Sequence, residues 1–198
     1  IIMQDFEIHK KNFLEQKSHL KYLTDYDYLF LGDSYFEFFL YEQYAGKNTF
    51  FKHFDRKRCL NLGVAGSTIS DWLYYKEAYL DLPSFKNIFI NLGYNDLHAN
   101  VSVLDVLSHL EEFIKLLRSN FKIENIYVFD VTYSPCFKEY YEIEKEYNTL
   151  LSKKAKELNI TVLSLNGKYN GLCFYEDLAH PNELGYLKFA NILKSIIK

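Results

Sequence analysis

Short apolar runs alternate along this chain with longer stretches whose apolar residues recur every three to four positions. The short runs Tyr26–Leu31, Cys59–Leu62, Asn87–Leu92, Ile126–Val131 and Thr161–Leu165 predict five strands. Most are rich in Ile, Val, Phe or Leu without clean polar alternation, as strands covered on both faces are. Helical spacing links Val103, Val106, Leu107, Leu110, Ile114 and Leu117. It links Ile143, Tyr147, Leu150, Leu151, Ala155 and Leu158 in the same way, and later Leu184, Leu187, Leu193 and Ile196. A further helix is expected before the first strand, from about Asp5 to Leu23, with Phe6, Phe13 and Leu20 turned inward. The alternation predicts an α/β fold, a single-domain, doubly wound parallel five-stranded sheet of flavodoxin-like order with an extra N-terminal helix. Residues 1–24 then form a helical extension packed on the domain, and residues 25–198 the domain itself.

That layout gathers distant polar residues. In an open parallel sheet the carboxyl ends of all strands share one edge, where ligands bind. Ser34, within Leu31-Gly32-Asp33-Ser34, follows the first strand. Gly66, within Asn61-Leu62-Gly63-Val64-Ala65-Gly66, follows the second, and Asn95, within Gly93-Tyr94-Asn95-Asp96, the third. Asp177 and His180, within Asp177-Leu178-Ala179-His180-Pro181, follow the last. Each has a plain alternative: Ser34 a helix N-cap, Gly66 and Asn95 turn residues, His180 a surface histidine ahead of a helix with Pro181 in its first turn. Together they supply what acyl transfer needs. Ser34 can attack a carbonyl, His180 can carry its proton, and Asp177 can hold the imidazole. The backbone N–H groups of Ser34 and Gly66 and the Asn95 amide can donate to an oxyanion.

These four blocks, in this order, resemble the SGNH hydrolase family, also called GDSL esterases. Gly-x-Asn-Asp together with a distal Asp-x-x-His-Pro is the specific part of the likeness. The resemblance spans Gly32 to His180 and implies the doubly wound fold, with the oxyanion donor on Gly66 rather than Gly63, which reads as a plain turn glycine. One departure is Tyr35 after the serine, where the motif's name expects leucine; it bears on substrate choice more than on chemistry. Asp33 is expected to brace neighbouring loops, Asp96 to cap a helix or turn, and Thr68 with Asp71 to open the next helix as a capping pair. Among the other histidines, His9, His19, His53, His98 and His109 show no comparable pairing in sequence, and His109 reads as structural.

The loop Thr132–Lys138 should wall the pocket, and Tyr35, Tyr94, Tyr133 and Ser134 are its candidate substrate-binding residues. Trp72 reads as core. The 18 Tyr and 17 Phe suit a pocket for sugars or acyl chains, though an AT-rich genome accounts for the count more simply. A net charge of −3 leaves no nucleic-acid footprint or polybasic membrane patch. Cys59, Cys136 and Cys173 are odd in number and lack Cys-x-x-Cys spacing, which argues against a disulfide framework or a zinc site. No apolar run approaches the roughly 20 residues of a membrane span, and the first residues are too polar for a secretory core. A cytoplasmic location is expected. No metal constellation stands out, and the serine chemistry needs no cofactor. The expected reaction is removal of a short acyl group, acetyl above all, from a carbohydrate. Phe36, Phe39 and Leu40 can line a trench for long chains if their helix turns outward. That would favour a lipid-directed esterase, lysophospholipase or thioesterase. Acyl transfer and a non-catalytic binding module stand behind these.

Overall fold

The computed structural model describes residues 2–18, 26–83 and 85–197. Five parallel strands, β1 (Tyr26–Gly32), β2 (Cys59–Gly63), β3 (Phe85–Asn91), β4 (Asn125–Phe129) and β5 (Thr161–Leu163), form one sheet in the order β2-β1-β3-β4-β5. The predicted strands are all present, with ends moved by one or two residues. Val131 and Leu165, expected to end strands, lie beyond the ladder yet remain buried.

Alternation along the strands sorts two kinds of apolar side chain onto two faces. Leu29 and Leu31 of β1, Ile88 and Ile90 of β3, and Ile126 and Val128 of β4 point to one side. Tyr28, Phe30, Phe89 and Phe129 point to the other. The aliphatic face is covered by α5 (Ile69–Tyr74), α7 (Val103–Asn120) and α8 (Tyr141–Lys154), which contribute Trp72, Leu110, Phe113 and Tyr147. The aromatic face is covered by α2 (Ser34–Glu37), α3 (Glu42–Ala45), α4 (Phe50–His53) and α9 (Glu183–Lys194). There Phe30 stacks on Phe89 at 4.7 Å, Phe39 on Tyr186 at 4.6 Å and Phe36 on Phe189 at 5.7 Å. Each ring taken from water contributes about 1.5–3 kcal/mol. Composition alone gave no reason to place the abundant rings; they build this half of the core. α6 (Tyr94–His98) follows β3 at the sheet's carboxyl edge.

The N-terminal helix α1 (Ile2–Ser18) lies on α5 and β2. His9 Nδ1 bonds Asp71 Oδ2 at 2.7 Å, Tyr74 donates to Glu7 at 3.0 Å, and Lys17 pairs with Asp81 and the Ala78 carbonyl. The expected continuation of this helix through Leu20 to Leu23, and the side chains of Phe6 and Phe13, lie outside the described residues.

Candidate active site

The register of the sheet sets the site. Gly32 pairs with both Gly63 and Asn91, so β1, β2 and β3 end level with one another. Ser34 begins α2 two residues after Gly32, with Asp33 between them as N-cap; the Asp33 carboxylate accepts the Tyr35 N–H at 3.0 Å. The first-turn amides of a helix have no acceptor within it, and the Ser34 N–H has none elsewhere among the described residues. Gly63 is no turn glycine. It closes β2, and a Cβ there would strike the Glu37 amide and Phe36, so the absence of a side chain lets α2 sit against the strand end.

His180 arrives on the loop before α9. Leu178 adopts a left-handed backbone, φ +57, which folds Asp177 back over the turn. Asp177 Oδ1 accepts the Ala179 N–H at 2.9 Å and the His180 N–H at 3.0 Å, while Oδ2 meets His180 Nδ1 at 2.6 Å. Partial burial works to raise the Asp177 pKa, but the His180 and Ala179 bonds outweigh it and hold the carboxyl below its ordinary value. On the far side of the ring, His180 Nε2 lies 2.9 Å from Ser34 Oγ. A carboxylate on Nδ1 fixes the tautomer whose Nε2 accepts a proton. Tyr35 ties the two halves together, its hydroxyl donating to the Ala179 carbonyl at 2.9 Å.

Gly66 stands exposed at φ +76, a conformation that suits glycine, and its N–H has no acceptor among the described residues. The Asn95 side-chain amide donates to the Ser67 carbonyl at 2.9 Å, which locks it to this turn and leaves its second N–H available. Thr68 and Asp71 form the expected capping box on α5. Asp96 does cap a helix, though not its own: buried at 0% exposure, it accepts the Ile69 N–H that opens α5. Burial raises its pKa to about 7 against the pull of that amide. Asp33 is pushed to about 7 likewise, by burial first, with the Tyr35 N–H opposing and Asp96 adding.

A cavity of about 300 Å³ opens beside Ser34 and His180. Asp33, Tyr35, Asn91, Tyr94, Asn95 and His98 line it, together with Val131, Thr132 and Phe137 of the loop after β4. Tyr133 and Ser134 stand outside that lining. Ser134 is fully buried behind Tyr94, whose hydroxyl it bonds at 2.9 Å, and Tyr133 turns toward Tyr141 with its N–H on Asn166. Trp72 is core, its Nε1 donating to Ser67 Oγ at 3.1 Å. His98 and Asn91 escaped the sequence reading; helical spacing from Tyr94 to His98 was the available signal for the first. His9 and His98 do pair with carboxylates, Asp71 and Glu144, each far away in sequence. His109 Nδ1 meets Ser70 Oγ at 3.3 Å. Among the described residues no group of three His, Cys, Asp or Glu is placed to hold a metal ion. Nor is any described helix long and apolar enough to cross a membrane.

A hydroxyl, imidazole and carboxylate bonded in series, beside free N–H donors, can activate an oxygen nucleophile and stabilise the anion it forms. The comparisons agree with that chemistry. Residues 30–188 match the GDSL-like lipase/acylhydrolase family. Among curated proteins, none matches the chain in sequence. Several solved structures share its fold. A member of the lipolytic protein G-D-S-L family from Veillonella parvula is 20% identical over 87% of this chain and 98% of that one, with a TM-score of 0.70. A GDSL-like lipase from Bacteroides thetaiotaomicron is 19% identical over 93% and 98%, with a TM-score of 0.69. An acetylxylan esterase from Geobacillus stearothermophilus is 15% identical over 86% and 93%, with a TM-score of 0.65. The chain belongs to the GDSL-like lipase/acylhydrolase family and is a hydrolase acting on ester bonds.

Proposed function

We propose that this hydrolase removes short acyl groups, acetyl above all, from carbohydrate alcohols through an acyl-enzyme on Ser34. The observation that carries the reading is the continuous relay Asp177–His180–Ser34, at 2.6 and 2.9 Å, opening into a cavity of about 300 Å³. Ser34 Oγ attacks the acyl carbon as its proton passes to His180 Nε2. The N–H groups of Ser34 and Gly66 and the free amide hydrogen of Asn95 receive the oxyanion. Collapse breaks the ester C–O bond, and His180 returns the proton to the departing alkoxide. Water, deprotonated by the same imidazole, then releases the acid and restores the serine.

Cavity size and wall chemistry support the short acyl group. The volume is at the small end of ligand sites. The trench that long chains would need is absent from the helix after Ser34: Phe36 and Phe39 are buried in the core, and Leu40 lines a separate cavity beside α1. An acetylxylan esterase is built on the same fold, which makes sugar esters a natural first test. One observation favours lipid-like esters instead: Phe38, stacked on Tyr44 at 4.1 Å, sits 4.7 Å from His180 and offers an aromatic shelf outside the cavity. Aryl esters of graded length separate the two. Under the proposal kcat/KM falls from acetyl to octanoyl and acetate is released from an acetylated sugar. A rise toward octanoyl with no acetate from any sugar would transfer the assignment to lipid-directed hydrolysis.

A further inference from the structure

His98, which lines the same cavity as Ser34 and His180, belongs to a second histidine–carboxylate pair that the esterase relay does not use. It ends α6, one helical turn beyond Tyr94, and its imidazole is held on both faces, along one edge and at Nε2. Tyr94 stacks on one face at 3.9 Å and 23°, Tyr140 on the other at 3.9 Å and 12°, and Phe137 meets the ring's edge at 5.1 Å and 81°. Nε2 lies 3.0 Å from Glu144 Oε1. Glu144, on α8, is wholly buried; His98 is its only partner among the described residues, and its Oε2 has none. Burial pushes the Glu144 pKa up to about 7 and draws that of His98 down.

A carboxylate sunk in the core with one partner is a costly way to fill space; an apolar side chain of the same volume would be cheaper. What it supplies is orientation. With both faces stacked and Nε2 held, the imidazole presents its remaining nitrogen, Nδ1, in a fixed direction, and Nδ1 has no partner among the described residues. The residue lines the cavity and keeps 14% of its side chain accessible. When the ring is neutral with its proton on Nε2, Nδ1 accepts a hydrogen bond; when the ring is charged, Nδ1 donates one. A hydroxyl is the ligand group that satisfies both states. An alkyl chain or an unsubstituted aryl ring satisfies neither, and would leave a polar atom desolvated.

We infer that His98 is a specificity-determining residue that binds a free hydroxyl of the ester's alcohol, with Glu144 as the positioning residue that holds its ring. The inference rests on the esterase reading above and narrows it: the preferred substrates are partly acylated polyols. Phe137, 39% exposed at the cavity wall, adds an apolar face for the C–H surface of such a substrate.

The test compares kcat/KM for three acetyl esters: 4-nitrophenyl acetate, monoacetylglycerol and a monoacetylated methyl xyloside. His98→Phe keeps a ring between Tyr94 and Tyr140 and removes both nitrogens. Glu144→Gln keeps an acceptor for Nε2–H, and the double variant His98→Phe with Glu144→Met serves if the single one leaves the buried carboxyl too costly to fold. The ratio of hydroxylated to aryl ester should drop by about 10- to 100-fold in either His98 variant, the loss expected when one substrate hydrogen bond goes unmade. Glu144→Gln should retain most of that ratio. A ratio unchanged by removing His98 overturns the inference, as does wild-type protein that cleaves the aryl ester and neither hydroxylated one. Cleavage of monoacetylglycerol but not of the xyloside, with the ratio still dependent on His98, supports the inference and removes carbohydrate from the function proposed above.

Discussion

The imidazole of His180 and the hydroxyl of Ser34 meet at 2.9 Å across 146 residues of chain. Two local devices produce this meeting. Gly63 lets α2 lean on the end of β2, which sets where Ser34 stands, and the left-handed Leu178 folds the Asp177 loop back toward it. Ser34→Ala removes one oxygen from this contact and disturbs neither device. Turnover of 4-nitrophenyl acetate should fall by about 10⁴-fold or more while the thermal midpoint stays near that of the wild type. A serine-directed phosphonate should add mass at Ser34 in the wild type and nowhere in the variant. Full activity in Ser34→Ala would remove the acyl-enzyme from the reaction.

Asp177 and His180 should not be equal. The imidazole handles the proton, whereas the carboxylate orients the ring and stabilises its charge. Asp177 also accepts two backbone N–H groups of its own turn, so its loss loosens the loop as well as the tautomer. Even so, His180→Ala should be the worse lesion, with kcat at least about 10-fold lower than in Asp177→Ala. The reverse order would mean that loop geometry, rather than proton transfer, limits the rate.

How much of this was visible in the chain follows from the range of each interaction. Strands covered on both faces announce themselves as apolar runs, and the β-edge that collects Ser34, Gly66, Asn95 and His180 follows from parallel order alone. Strand ends depend on pairing: Val131 is as apolar as Val128, but β5 reaches only as far as Leu163, so the ladder stops at Phe129. The partners of His9 and His98 lie 62 and 46 residues away, on helices whose rotation no local pattern fixes. Tyr133 and Ser134 belong to the loop after β4, yet neither lines the cavity, whereas Val131, Thr132 and Phe137 do. Which of its residues face inward depends on irregular backbone, where neither a two-residue nor a 3.6-residue period applies.

Asn95 gives a sharper test of the oxyanion site. One of its amide hydrogens is committed to the Ser67 carbonyl, which holds the other in place before substrate arrives. A donor fixed in advance acts most when charge develops on the substrate oxygen. Asn95→Ala should therefore reduce kcat by about 10²–10³ with KM little changed. A large rise in KM at constant kcat would instead make Asn95 a ground-state contact.

Buried carboxyls make stability fall as pH rises through the weakly acidic range. Asp96 is fully buried, and burial lifts its pKa from 3.8 to about 7 despite the Ile69 amide. Asp33 and Glu144 are raised to about 7 for the same leading reason. Between about pH 4 and 7 the unfolded chain gives up these protons while the folded protein keeps them. Each proton so held tilts stability downward with rising pH by about 1.36 kcal/mol per unit, and the slope levels off above the folded pKa. Asp177 is shifted the other way, so its contribution is lost only at more acid pH, below this window. Asp96→Asn preserves an oxygen to accept the Ile69 N–H but cannot ionise. Its thermal midpoint, followed from pH 4.5 to 8, should decline less steeply than that of the wild type by about one proton's worth of slope, the two curves running parallel above pH 7. Parallel curves across the whole range would show that Asp96 releases its proton as readily in the folded protein as in the unfolded chain.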